Sequence, residues 1–294
     1  MTKLKTLVKI NLKQNIDKYI DKCEGLILGM ELFSVGFRET FSIEEIEEIV
    51  KKYPEKDIFI SLNKSIFNNE LESLNKTLIK LDNLKIKGIL FYDLSILYMK
   101  KKNNLKIDLV WNQTHLVTNY NTCNYYYGNG VKYGFLSGEI TKDEILEINK
   151  NSSMDFLLTI VAHQTMSFTR RKLLTNYYTS IGKKYDGEEK KISEKEREYL
   201  IMESNDGTEI KTGEIFNGIE ILPELLNNNL SYVVVEEASI DSDIISKLLT
   251  IINNVISNTN VDSNIIDSYS LIGNNTSFLF KKTIFKVKKE SKEI

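Results

Sequence analysis

Eight short apolar runs recur at regular intervals along this chain of 294 residues. Most of them are too continuously apolar to leave one face in water, which is typical of parallel strands buried on both faces. We predict strands at the following segments: 5–10, 25–30, 57–62, 87–92, 107–112, 132–137, 155–162 and, after an insertion, 231–240. Eight strands in a chain of this length predict an α/β fold, a TIM-like (β/α)8 barrel or a distorted relative of one. An open doubly wound sheet is the alternative.

Helical patterns lie between these runs. The segment FSIEEIEEIVKKY begins with Ser42 and carries Glu45 three residues later, which predicts a capping box. Residues 71–84 repeat the helical spacing of apolar residues. We also predict a helix from about Thr169 on the outer layer of the barrel, with Leu173 and Leu174 buried.

Residues 1–294 are predicted to form a single barrel domain with a small β appendage. The charged stretch 182–200 is interpreted as a solvated loop and helix, and an Asp206-Gly207 turn predicts a hairpin within an insertion at about 182–214. The alternating tail predicts a strand at about 277–289.

Charge and composition exclude some classes of protein. A net charge of -2 provides no general attraction to nucleic acid or acidic lipid, so such binding requires a local patch. No apolar run is long enough for a membrane span, and the N-terminal segment lacks the features of a signal peptide. Cys23 and Cys123 are the two cysteines, too few for a disulfide framework. We expect a cytoplasmic protein without a membrane partner.

In a barrel of this type, functional side chains gather where the strands end. The candidates for a pocket at these ends are Glu31, Asn63, Asp93, Asn112, Gln113, His115, Glu139, His163 and Glu236, with Lys64, Ser137, Gln164 and Glu237 beside them. Such carboxylates and amides could orient a polar substrate or hold a metal, although each of them could equally cap a helix or begin a loop.

The histidines and cysteines provide no clear catalytic motif. His115 and His163 could form a two-histidine, one-carboxylate site with Glu31, Asp93 or Glu139. No metal-binding motif supports a divalent metal, and hydrogen-bonded histidines are the favoured interpretation. Neither cysteine has a visible base, and no glycine-rich phosphate loop is present.

Several segments nevertheless match a known family in order. They are FSIEEIEEIV, IFISLNK, GILFYDLSIL, WNQTHLVTNYNTCNYYYGNGVKYGFLSGEIT, RRKLLTNYY and LFKKTIFKVKK. With these segments the chain resembles the collagenase-like peptidase family, peptidase family U-32, over nearly its whole length. The resemblance implies a TIM-like barrel, and the family name implies proteolysis by a hydrolase. Other members resemble factors that hydroxylate tRNA wobble uridine, ribosomal cytidine or ubiquinone, often with a cysteine-ligated iron–sulfur cluster.

The chain departs from the family pattern at the cluster ligands. Where the family has His-Gly before a first cysteine, this chain has Val161 and Ala162, with Thr165 at the cysteine. Lys172 stands at the second cysteine. We therefore predict no iron–sulfur cluster, because thiolates are its required ligands.

Three residues match the family pattern and are carried over as candidate site residues: Arg171, Asn176 and Tyr177. The favoured hypothesis is a cluster-free accessory protein in tRNA wobble-uridine hydroxylation, with tRNA and a cysteine-bearing paralogue as partners. The alternatives are a metal-dependent peptidase acting on a peptide substrate and a non-catalytic barrel that serves as a scaffold. Whether the chain is an enzyme stays open at this level.

Overall fold

The computed structural model describes residues 4–281 except 114, 196, 206, 227 and 229. The strands are β1 (Lys5–Lys9), β2 (Gly25–Gly29), β3 (Asp57–Leu62), β4 (Gly88–Phe91), β5 (Leu109–Trp111), β6 (Tyr133–Phe135), β7 (Asp155–Ala162), β8 (Thr165–Thr169), β9 (Lys190–Glu194), β10 (Arg197–Ser204), β11 (Gly207–Thr212), β12 (Phe216–Asn217) and β13 (Leu230–Glu236).

The helices alternate with the strands of the barrel and continue after β13. They are α1 (Ile16–Tyr19), α2 (Ile43–Lys52), α3 (Leu71–Asp82), α4 (Ser95–Asn103), α5 (Tyr120–Gly128), α6 (Lys142–Asn151), α7 (Leu173–Ser180), α8 (Leu222–Leu225), α9 (Ser242–Ile256) and α10 (Val261–Ile272). No helix in the described ranges has both the length and the apolar character that crossing a membrane requires.

Within the described residues, eight parallel strands close into a barrel in the order β1 to β7 followed by β13, which pairs with both β7 and β1. This confirms the predicted barrel and excludes the open sheet. The two-residue strand β12 pairs antiparallel with the end of β7 outside the closed ring.

Side chains alternate between the inside of the barrel and the helical layer. One buried cluster receives an apolar side chain from every barrel strand: Leu7, Ile27, Phe59, Leu90, Val110, Tyr133, Phe135, Leu157, Tyr232 and Val234. A larger buried cluster lies between the outer surface of the barrel and the helices. Because both faces are covered, the strands read as continuous apolar runs in the sequence.

The predicted capping box is confirmed at the start of α2. The backbone N–H of Glu45 donates to Ser42 Oγ at 3.2 Å, and the backbone N–H of Ser42 donates to Glu45 Oε2 at 2.8 Å. These bonds satisfy two backbone donors that the first helical turn leaves free.

Four strands form a separate antiparallel sheet in the order β8-β11-β10-β9, which we call the appended sheet. The predicted hairpin corresponds to β10 and β11, which meet at Ser204 and Gly207. The appended sheet begins at Thr165, whereas the predicted insertion begins at about residue 182. The charged stretch 182–200 supplies β9 and the start of β10 in place of the expected helix.

Two further expectations were wrong in detail. Thr169 ends β8, α7 begins at Leu173, and α7 packs on the appended sheet and not in the outer layer of the barrel. Leu174 is buried as predicted, but Leu173 is 37% exposed. Helical spacing identified the helix but not the surface against which it packs. Residues 277–280 form a turn in place of a strand, and the predicted strand from residue 282 onward lies outside the described residues.

We predict that Leu174→Ala lowers the free energy of unfolding by about 2–5 kcal/mol, because it leaves a cavity beneath α7. Leu173→Ala is the matched control and should cost less than about 1 kcal/mol, because this side chain is partly in water. Urea denaturation followed by circular dichroism measures both values. Equal losses for the two variants would contradict this packing.

Candidate functional site at the carboxyl-terminal face of the barrel

The loop after β2 fills the mouth of the barrel with an aromatic ring. Phe37 is 4% exposed and belongs to the interior cluster although it lies outside the strands. It fits because Gly29 has no side chain: a Cβ atom there would lie 2.6 Å from the Phe37 ring. The ammonium of Lys9 lies 5.0 Å from the centre of the same ring. The mouth is therefore a packed surface rather than an open pore.

Four charged side chains meet above this ring: Lys9, Glu236, Glu209 and Lys211. We call them the buried charge cluster. Lys9 Nζ lies 2.8 Å from Glu236 Oε2, and Lys211 Nζ lies 3.2 Å from Glu209 Oε2. Lys211 and Glu209 are almost fully buried. Because Glu209 and Lys211 belong to β11, the cluster joins the appended sheet to the barrel.

Two threonines add hydrogen bonds to the carboxylates of this cluster. Thr165 Oγ1 donates to Glu209 Oε1 at 2.6 Å, and Thr159 Oγ1 donates to Glu236 Oε1 at 3.4 Å. Gly36 allows the close approach of the sheet, since a Cβ atom there would lie 3.1 Å from Glu209 Oε1. Its φ of 74° is also a backbone conformation that favours glycine.

Lys9 and Glu209 keep their charges at neutral pH. Burial acts to lower the pKa of Lys9, but attraction by Glu236 and Glu209 outweighs burial and raises this pKa. Burial acts to raise the pKa of Glu209, but Lys211 and Lys9 outweigh it and hold this pKa below its usual range. A proton donor or acceptor works best with a pKa near the working pH. These two groups are thus suited to holding and orienting rather than to proton transfer.

Several of the predicted site residues hold loops in place. Asn63 Oδ1 accepts from the backbone N–H of Val35 at 2.9 Å. Asp93 accepts from the backbone N–H groups of Ile66 at 3.1 Å and Ser95 at 2.9 Å. These two residues fix the loops after β2, β3 and β4 against each other.

Gln113 and Glu237 have similar roles. Gln113 Oε1 accepts from Trp111 Nε1 at 2.9 Å, and its amide donates to the carbonyl of Tyr92 at 2.7 Å. Glu237 accepts from the backbone N–H groups of Asn11 at 2.6 Å and Leu12 at 3.0 Å, which holds the loop after β1.

The two histidines lie apart in separate environments. His163 is 7% exposed, its Nδ1 lies 2.9 Å from the carbonyl oxygen of Thr212, and burial lowers its pKa. His115 Nδ1 lies 3.2 Å from Glu139 Oε1, and both of these side chains are more than half exposed. In the part of the chain that the structure describes, no three His, Cys, Asp or Glu side chains are grouped so that they could hold a metal ion.

The remaining predicted residues do not converge. Glu31, Asn176 and Tyr177 are exposed, and Asn112 is buried. Arg171 is exposed in the connection between β8 and α7, and its guanidinium makes no ion pair with any residue that the structure describes. Of the predicted residues, Glu236 alone belongs to the buried charge cluster.

Sequence reasoning missed Lys9, Glu209 and Lys211. A sequence pattern could have identified Lys9, because it shares the inward face of β1 with Leu7, and a lysine that faces into a barrel needs a partner charge. No such pattern identifies Glu209 and Lys211, because the sequence of a hairpin does not show which of its faces will be covered.

The cysteines do not fit an iron–sulfur cluster. Cys23 precedes β2 and Cys123 lies in α5, so the two thiols occupy different parts of the layer between barrel and helices. Burial raises the pKa of each thiol to about 12, whereas a cluster needs thiolates.

A polar cleft of about 630 Å³ lies between the appended sheet and the loops after β1, β2 and β13. Its lining residues are Asn11, Arg38, Lys172, Thr175, Tyr185, Asp186, Gly187, Glu189, Met202, Glu203, Ser204, Asn205 and Ser239. Arg38 pairs with Glu188 at 3.3 Å, and Glu203 accepts from the backbone N–H of Leu174 at 2.8 Å at the start of α7. The cleft could bind a polar ligand that approaches over the edge of the sheet.

We predict that Lys9→Met lowers the free energy of unfolding by about 3–5 kcal/mol, because it leaves the largely buried Glu236 carboxylate without its ion-pair partner. Lys51→Met is the matched control: Lys51 forms an exposed pair with Glu47 at 2.6 Å, and its loss should cost less than about 1 kcal/mol. Urea denaturation measures both. A small loss for Lys9→Met would show that the cluster does not hold the sheet.

The pH dependence of the free energy of unfolding tests whether Glu209 is charged in the folded protein. A carboxyl whose pKa is lowered on folding stabilises the protein above its unfolded pKa of about 4.3, and this stabilisation is lost as the pH falls through the folded value. The stability difference between wild type and Glu209→Gln should therefore shrink from neutral pH to below about pH 4. A difference that stays constant over this range of pH would contradict a charged Glu209.

Comparisons with known proteins agree with this architecture. The curated tRNA hydroxylation protein P2 of Bacillus subtilis (strain 168) is 27% identical over 214 residues, which cover 69% of each chain. The solved structure of the U32 peptidase Mk0906 superposes with a TM-score of 0.53 at 14% identity, covering 81% of this chain and 94% of that one. This second likeness shows the fold alone. The sequence pattern that defines peptidase family U32 matches residues 8–271. The chain belongs to peptidase family U32.

Proposed function

We propose that this protein takes part in the hydroxylation of tRNA, at wobble uridine, in the cytoplasm. The observation that carries this proposal is the 27% identity to a tRNA hydroxylation protein over 69% of the chain. The carboxyl-terminal face adds support, because it combines a polar cleft with Arg171 and Lys172, which are both exposed. Arginine and lysine at such positions can bind phosphate oxygens.

An accessory role suits the residues of the site. The cysteines do not fit a cluster, and Lys9 and Glu209 at the mouth of the barrel hold their charges. A hydroxylation reaction needs redox chemistry, which a cysteine-bearing paralogue would supply while this chain binds or positions the RNA. No cofactor of its own is proposed for this chain.

The peptidase alternative requires a nucleophile beside a base, or a water activated by a metal. His163 is bound to a backbone carbonyl, and His115 faces Glu139 at the exposed rim. The thiols of Cys23 and Cys123 are buried, and their pKa values are raised. Among the described residues, these contacts therefore do not support peptide hydrolysis.

We predict that deletion of the gene reduces hydroxylated wobble uridine in tRNA digests analysed by mass spectrometry, and that the wild-type gene restores it. Arg171→Lys should fold with nearly unchanged thermal stability, because the side chain is exposed, yet restore less hydroxylation, because lysine lacks the planar fork that binds phosphate bidentately.

Arg197→Lys is the matched control, since Arg197 is an exposed arginine at the far hairpin of the appended sheet. It should restore hydroxylation fully. Normal hydroxylation in the deletion strain would overturn the proposed function, and chelator-sensitive cleavage of unstructured peptides by the purified protein would put the peptidase alternative in its place.

A further inference from the structure

Large apolar side chains are exposed along one half of the carboxyl-terminal face. They come from the loops after β2, β3, β4 and β5 and from β8, and each is between 37% and 63% exposed: Leu32, Phe67, Tyr92, Leu94, Leu116, Met166 and Phe168. Exposed apolar residues collected on one face mark a binding surface more often than scattered ones do. Neither the buried charge cluster nor the polar cleft accounts for this surface.

Arg170 covers part of one of these rings. Its guanidinium carbon lies 3.8 Å from the centre of the Phe67 ring, and Phe67 is still 54% exposed. The nearest carboxylate oxygen, Glu70 Oε1, lies 4.0 Å from Arg170 and only 2.9 Å from Lys64 Nζ. Arg170 therefore keeps much of its charge available to a ligand, and its planar group is already oriented by the ring.

The backbone around Phe67 is fixed before any ligand binds. Glu70 Oε2 accepts from the backbone N–H of Phe67 at 2.7 Å, and Asp93 Oδ2 accepts from the neighbouring N–H of Ile66 at 3.1 Å. With its backbone held in this way, Phe67 loses little backbone entropy when a ligand stacks on its ring.

Strand β8 brings a second ring to the same side. Phe168 is the register partner of Glu209, and cross-strand partners point to the same face of a sheet. Since Glu209 points to the barrel, Phe168 does too, and Arg170 follows it two residues later. β8 is an outer strand of the appended sheet and pairs with β11 alone among the described strands, so its other edge is not covered by a described strand.

The charge next to these rings favours an anionic partner. Arg170, Arg171 and Lys172 follow one another at the end of β8, and Arg171 and Lys172 make no ion pair with a described residue. A loop of RNA has planar bases for the rings and the Arg170 guanidinium, and phosphates for Arg171 and Lys172.

We propose that Phe67, Arg170 and Phe168 form a platform on which an unpaired nucleobase of an RNA loop stacks, while Arg171 and Lys172 contact the adjacent phosphates. This inference rests on the proposed function and names the residues that bind the single-stranded part of the RNA. Stacking on aromatic and guanidinium planes requires a base outside a duplex, so the platform selects a loop over a helix.

Fluorescence anisotropy with an anticodon stem-loop RNA, and with a fully paired RNA of the same composition, tests the platform. The wild type should bind the stem-loop more tightly than the paired RNA. Phe67→Ala and Arg170→Ala should each weaken stem-loop binding by about 5- to 150-fold, the range expected for loss of one stacked base. Phe67→Tyr keeps the ring and should bind normally, whereas Phe67→Leu and Arg170→Lys should be impaired because each loses the planar group.

Tyr127→Ala is the matched control, because Tyr127 is 46% exposed in the last turn of α5, on the outer layer of the barrel. It should bind as the wild type does. Thermal unfolding of every variant should match the wild type, since each replaced side chain is exposed.

Complementation of the deletion strain separates this inference from the proposed function. If the wild-type gene restores no hydroxylated uridine, the proposed function fails. If the wild-type gene restores it and Phe67→Ala and Arg170→Ala also restore it with unchanged RNA binding, the platform is wrong and the proposed function stands. The platform would also be wrong if the Phe67→Ala variant bound RNA normally but no longer bound a protein partner. The surface would then be a protein-binding surface.

Discussion

The register between β1 and β13 determines much of what happens at the mouth of the barrel. Closure requires β13 to pair with β1, and the pairing sets Lys9 opposite Glu236 at the ends of the two strands. A lysine at this position would be costly inside a barrel without a partner, and the partner comes from a strand more than 200 residues later in the chain. The ion pair thus depends on closure and also favours the correct register.

The appended sheet uses the same charges to attach itself to the barrel. Glu209 and Lys211 are two residues apart on β11, so both side chains point to one face, and that face meets Lys9. Phe37 fills the space beneath them because Gly29 leaves room. In many barrels the mouth is open and holds the active site. In this protein the mouth is filled by the contact between the barrel and the appended sheet.

Because the mouth is packed, the two candidate binding surfaces lie away from the barrel axis. One is the polar cleft bounded by Arg38 and Lys172, and the other is the set of exposed apolar side chains that includes Phe67 and Phe168. Both lie at borders between the appended sheet and the loops that follow the strands. Family membership is consistent with the barrel, but this chain has Thr165 and Lys172 at the positions where the family resemblance implies cysteines. Fold alone does not carry over the chemistry of other members.

The sequence by itself determined the barrel, because strands buried on both faces must be apolar throughout and this pattern survives without any knowledge of neighbours. It also determined the capping box at Ser42 and Glu45, where both partners lie within one helical turn. Only the tertiary structure decided that α7 packs on the appended sheet, that Asn63, Asp93 and Gln113 hold loops, and that Arg170 rather than Arg171 reaches an aromatic ring. Each of these depends on contacts between segments distant in the chain, whose partners no local pattern specifies.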